Sequence, residues 1–92
     1  MDKREQIKKI VQKLLNQNKL SGFSRADIDK ATLQALLVLD QRSFDRWFNF
    51  LWKLEYLTQP EPEKYSLNVE RIVELEVKLP EAINPAQRRL SV

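Results

Sequence analysis

The chain of 92 residues contains no cysteine and no histidine. The first absence excludes disulfides and thiolate metal sites. The second removes the commonest general base and the commonest metal ligand. Only one glycine, Gly22, is present, so few connections can take a positive φ cheaply, which favours helices over a series of tight hairpins. Long apolar runs are missing as well. The longest lies around Leu36 to Leu39, far short of the roughly 20 residues of a membrane span. The chain opens on Asp2, Lys3, Arg4 and Glu5 rather than on an apolar stretch like that of a signal peptide, and a cytoplasmic location is expected. With no phosphate-cradling glycine loop either, no catalytic constellation, metal site or cofactor site is expected, and the chain reads as a binding protein rather than an enzyme. Its length suits one domain.

Charge is present but unevenly spread. The net charge is +3, and residues 1–30 carry eight Lys/Arg against four Asp/Glu. Residues 31–60 carry three of each, and residues 61–92 carry five basic and six acidic side chains. A basic front end suits a polyanionic partner, and it equally suits a solvated helix face.

Three helices and a hairpin follow from the patterning. Ile7, Ile10, Val11, Leu14 and Leu15 recur at the spacing of one helical stripe, which predicts a first helix over Asp2 to Asn16. Ser24, with Asp27 three residues on and Phe23 before it, has the form of a capping box with a hydrophobic staple. A second helix running to about Leu36 is expected, with Ile28, Ala31, Leu33, Ala35 and Leu36 inward. Val38 to Asp40 reads as a tight turn, and Asp40 as the cap of a third helix over Gln41 to Glu55. On that helix Phe44, Trp47, Phe48, Leu51, Trp52 and Leu54 share one broad face, expected to be core. Phe50 lies at the border, as core or as a contact for a partner. Opposite, Arg42, Arg46, Asn49 and Lys53 fall within an arc of about 60°. Tyr56 to Gln59 and Lys64 to Leu67 read as two strands joined by a rigid loop, Pro60-Glu61-Pro62-Glu63, since proline donates nothing to a ladder. Beyond Asn68 the residues Val69, Ile72 and Val73 suit a helix, while Leu75, Val77 and Leu79 alternate with charges as in a strand. A helix over Val69–Leu79 is preferred, ended by Pro80. Glu70, Glu74, Glu76 and Glu81 read as a solvated acidic surface, and 80–92, with Arg88 and Arg89, as a loose tail.

This succession resembles the winged helix-turn-helix family. The likeness rests on the Ser24-capped second helix, the short turn into Ser43-Phe44-Asp45-Arg46-Trp47, the apolar positions through Leu51-Trp52-Lys53-Leu54, the entry to the hairpin at Leu54-Glu55-Tyr56-Leu57 and its exit at Tyr65-Ser66-Leu67. It covers roughly residues 4 to 68, about three-quarters of the chain, as a pattern without a diagnostic motif. It implies a mainly α fold with a small β-hairpin: a winged helix-turn-helix domain over 1–68, a C-terminal helix or extension over 69–79, and the tail over 80–92.

The resemblance also implies double-stranded DNA as partner, read by the third helix in the major groove. The residues expected to make contact are Gln41, Arg42, Ser43, Arg46, Asn49 and Lys53 on that helix, with Ser24 and Arg25 at the start of the second. Arg42 and Arg46 can fork onto guanine, Asn49 onto adenine, and Lys53 suits phosphate. Asp45 is expected to pair locally with Arg42 or Arg46. Two departures stand out: the wing tip holds Glu61 and Glu63 against Lys64, which disfavours phosphate contact, and Glu55-Tyr56 stand where the family often has glycine. A small transcriptional regulator or a replication or partition accessory is expected, as a homodimer through residues 69–79, whose apolar residues need a cover. The alternative is a winged-helix module that binds protein without DNA, since fold alone does not decide function. A continuous basic face over the first and third helices favours DNA, and an exposed apolar patch favours protein.

Overall fold

The computed structural model describes residues 2–79. The expected tail over 80–92, with Arg88 and Arg89, lies outside the described residues. Each of the three main helices starts where a side chain satisfies its first amides. In α1 (Lys3–Leu15) the Asp2 carboxylate accepts the Glu5 amide at 2.8 Å. In α2 (Arg25–Leu36) the Ser24 hydroxyl accepts the Asp27 amide at 3.1 Å, and the Asp27 carboxylate accepts the Ser24 amide at 2.9 Å, closing the expected capping box. In α3 (Gln41–Lys53) the Asp40 carboxylate accepts the Ser43 amide at 3.2 Å. The turn between α2 and α3 begins at Leu37, which takes φ 58 and ψ 34.

The hairpin pairs β1 (Leu57–Glu61) with β2 (Lys64–Leu67) antiparallel, with Leu57 opposite Leu67 and Thr58 opposite Ser66. The strands are longer than the prolines imply. Pro60 and Glu61 belong to β1, because the register slips between Thr58 and Glu61 and Pro60 sits at that irregularity, where a missing N–H is tolerated. The turn itself is Pro62-Glu63, with Glu63 at φ 62. A third extended stretch, absent from the sequence reading, lines the other side of β2. Phe23 exchanges two backbone hydrogen bonds with Tyr65 at 2.8 and 3.0 Å, and the Leu67 amide donates to the Leu20 carbonyl at 2.7 Å. The connector from α1 to α2 thus ties the wing to the helices.

One core unites these elements. The five-residue stripe of α1 is buried as expected, with Phe23, Ile28, Ala31, Trp47, Leu51, Tyr56, Leu57 and Leu67 around it. Thr32 is buried too, its hydroxyl donating to the Ile28 carbonyl at 3.0 Å, a common way for threonine to enter a helix core. On α3 the expected apolar face is too broad. Trp52 is 44% and Leu54 37% exposed, and Phe44, Phe48 and Phe50 are half-buried. The core lies under Trp47 and Leu51, and Trp52 stands about 140° around the helix from Trp47.

The C-terminal segment is not a helix to Leu79. A short α4 (Val69–Ile72) passes into a single 3₁₀ turn over Val73–Leu75. Glu76 then takes φ 59 and redirects the chain. From Leu75 on, the strand-like alternation prevails: Leu75, Val77 and Leu79 turn inward, while Glu76 and Lys78 are exposed. α1 holds this stretch in place. Arg4 donates to the Glu74 carbonyl at 2.6 Å, and Gln12 both donates to the Lys78 carbonyl and accepts its amide, at 3.1 and 2.9 Å. Ile72 and Leu75 are fully buried in the common core. Ile72 and Leu75 are thus covered within the chain's own core, while Val73 is exposed and Val77 and Leu79 are half-buried. The result is a mainly helical domain with a two-stranded antiparallel hairpin, in a winged-helix-like layout. No helix among the described residues is long and apolar enough to cross a membrane.

Candidate nucleic-acid interface

With Trp47 and Leu51 fixed in the core, the opposite side of α3 must face solvent. Arg42, Arg46, Asn49 and Lys53 are all exposed there. Among the described residues the ion pairs involve only Arg25 and Arg71, so none of the three cations of this face is held in one, although Arg46 lies near enough to Asp40 to help lower its carboxyl pKa. Basic residues of α1 stand beside them. The Lys3 ammonium sits 4.0 Å over the Phe50 ring, and Lys9 shares a surface groove with Arg46. Phe50 is thus half-buried beneath a lysine.

The other four expected contact residues have internal partners. Arg25 donates to Asp29 at 2.9 Å and to Asp45 at 2.7 Å, with its guanidinium 4.2 Å above the Phe48 ring. Gln41 donates to Asp45 at 3.0 Å. The Gln41 hydrogen bond, with Arg25 second, holds the Asp45 carboxyl below the usual carboxylate range. Asp45 therefore pairs with neither Arg42 nor Arg46. It lies on the flank of α3 that carries Gln41, Phe48 and Trp52, and that flank faces the start of α2. Ser24 is engaged in its capping box. Ser43 is half-buried, and its hydroxyl and amide lower the carboxyl pKa of Asp40.

Sequence reasoning missed what this flank does. Tyr65 of β2 packs edge-on against Phe48 at 5.1 Å and Trp52 at 6.3 Å between ring centres. Arg25, Asp45, Phe48, Tyr65 and Trp52 thus link α2, α3 and the wing. The signal was available, since Gln41, Asp45, Phe48 and Trp52 follow one stripe at intervals of four, three and four. The partner residues, Arg25 and Tyr65, come from distant parts of the chain and carry no such mark.

At the wing, Glu61, Glu63 and Lys64 are all exposed, two carboxylates against one amine. Among the described residues no group of three or more acidic side chains is placed to hold a metal ion. No family model, curated protein or solved structure matches the chain, and its likeness to winged-helix domains is one of layout.

Proposed function

We propose that this chain is a winged helix-turn-helix protein that binds double-stranded DNA, with the exposed face of α3 entering the major groove. One observation carries this: Arg42, Arg46 and Lys53 form an exposed cationic face free of ion pairs among the described residues, extended by Lys3 and Lys9 of α1, while Asp45, the one carboxylate within α3, is turned toward Arg25. A major groove admits one α-helix and rewards such a face. Arg42 and Arg46 supply forked donors for guanine, and Asn49 supplies the paired donor and acceptor that adenine needs; each well-formed pair discriminates by about 1–3 kcal/mol. Lys53, Lys3 and Lys9 serve phosphates, which contribute affinity without sequence reading. Gln41, Ser43, Ser24 and Arg25 act in this scheme mainly by fixing how α3 stands against α2. The acidic wing stays off the backbone. A small transcriptional regulator or a replication or partition accessory of cytoplasmic location fits best. A homodimer on paired half-sites through residues 69–79, where Val73 is exposed and Val77 and Leu79 are half-buried, fits this reading.

The test is fluorescence anisotropy on a random duplex at two salt concentrations, with the native chain and with Arg42, Arg46 and Lys53 changed to Ala. Salt-sensitive binding that the folded variant loses supports the proposal. A folded native chain that fails to bind even at low salt overturns it.

A further inference from the structure

The turn between α2 and α3 is made of residues that suit neither a turn nor a wet surface. Leu36, Leu37, Val38 and Leu39 run without a polar residue. Leu37 closes α2 in the left-handed region, at φ 58, where glycine or asparagine is the usual occupant and another side chain costs roughly 1–2 kcal/mol. Leu37 and Leu39 are each 81% exposed, the most exposed large apolar residues described. No packing among the described residues offsets either cost. Strain and wet apolar surface at one place mark a position kept for contact.

Beside the turn a shallow groove opens between α1 and α3. Leu36, Val38 and Trp47 line it, and Lys9 and Arg46 supply its charge. No carboxylate lines it among the described residues. Asp40, next to Leu39, caps α3 and feels the charge of Arg46 from outside the groove lining. We propose that Leu37, Leu39 and this groove dock a peptide segment of a protein partner, one that presents large apolar side chains flanked by Asp or Glu. The leucines supply the apolar anchor, and Lys9 and Arg46 meet the acidic flank. A second copy of this chain fits less well, because two-fold pairing sets this patch, whose charged residues Lys9 and Arg46 are both basic, against its own copy. Arg46 also belongs to the DNA-facing stripe, so an occupied groove and a bound duplex compete for it. The docking site itself stands whether or not the chain binds DNA.

Selection of a random short-peptide display library on the immobilised full chain, in parallel with a Leu37→Asn/Leu39→Ser variant, tests this. Peptides enriched on the native chain are expected to combine Leu, Phe or Trp with net negative charge. Their synthetic copies are expected to bind the variant about tenfold or more weakly. The variant is expected to hold or raise its thermal midpoint, since asparagine suits the left-handed position and no buried contact is lost. Loss of binding together with a lowered midpoint assigns the leucines to the fold and overturns the proposal. So does enrichment of basic peptides, or equal enrichment on both proteins. Dimerisation of the native chain in sedimentation, abolished in the variant, transfers the surface to a second copy and overturns it as well.

Discussion

The two flanks of α3 carry the same kinds of residue and use them differently. Toward the start of α2 and the hairpin, Arg25 bridges Asp29 and Asp45, lies over Phe48, and adjoins the edge-on rings of Tyr65 and Trp52. Charge and aromatic surface there are consumed within the chain. Toward α1, among the described residues, Arg46 and Lys9 share a groove that no carboxylate lines, and Arg42 and Lys53 form no ion pair. A count of charges along the helix does not separate these sides. What separates them is the neighbour each meets: Arg25 of α2 pairs with Asp45 on one side, while no acidic side chain among the described residues forms an ion pair with Arg42, Arg46 or Lys53 on the other.

Leu51→Ala is expected to have the largest effect, because it removes the anchor on which both flanks depend. Leu51 is fully buried, and such truncations cost about 2–5 kcal/mol. In a domain this small that is a large share of the total stability. Urea denaturation should show the drop, with the two flanks lost together in one transition.

Next come variants that act on one flank only. Arg42→Ala/Arg46→Ala should leave the urea midpoint nearly unchanged and weaken duplex binding by roughly a hundredfold if both fork onto bases. Arg25→Ala should reverse the pattern: a lower midpoint and a smaller loss of binding. Equal losses of binding from the two variants would erase the distinction between the flanks. Asp45→Asn sharpens it further, since it removes the only carboxylate within α3. Affinity is expected to rise by about threefold at low salt, with the gain shrinking as salt screens it.

How much of this was legible follows the range of the interactions. The α1 stripe, the Ser24–Asp27 box and the start of α3 are local patterns, and they stand where the spacing puts them. The exposed face of α3 was also readable, because Arg42, Arg46, Asn49 and Lys53 differ from the core side by rotation alone. Non-local pairings were not. Nothing near Asp45 in sequence names Arg25 as its partner, and nothing near Phe23 announces a ladder with Tyr65. The segment after Ile72 failed for a related reason. Its helical and alternating patterns overlap, and the decision is made by Arg4 and Gln12 on a helix at the other end of the domain.

The capping box offers a smaller effect with a distinct pH signature. Ser24→Ala is expected to lower stability by about 1 kcal/mol. Asp27→Ala adds a titration. The Ser24 backbone amide, above all, holds the Asp27 carboxyl below its ordinary value. Its contribution is therefore fully present above the unfolded-state pKa of about 3.9 and is lost as pH falls through the lower folded value. Thermal midpoints of native chain and variant should differ at neutral pH and converge in acid. A gap that persists unchanged into strong acid would show that the Asp27 charge is not what stabilises this end of α2.

The smallest expected effect lies at the wing, and it asks whether the hairpin belongs to the closed flank alone. Glu63 occupies a left-handed turn position at φ 62 and is exposed. Glu63→Asn suits that backbone better and should raise stability by up to about 1 kcal/mol. The same change removes one of the two exposed carboxylates at the wing tip. If the wing only braces α3 through Tyr65, duplex affinity stays within experimental scatter while the thermal midpoint rises. A clear gain in affinity, largest at low salt, would mean that the tip lies within electrostatic reach of the duplex. In that case Glu63 works as a brake on binding, and the division between an internally satisfied flank and a DNA-facing one ends before the hairpin does.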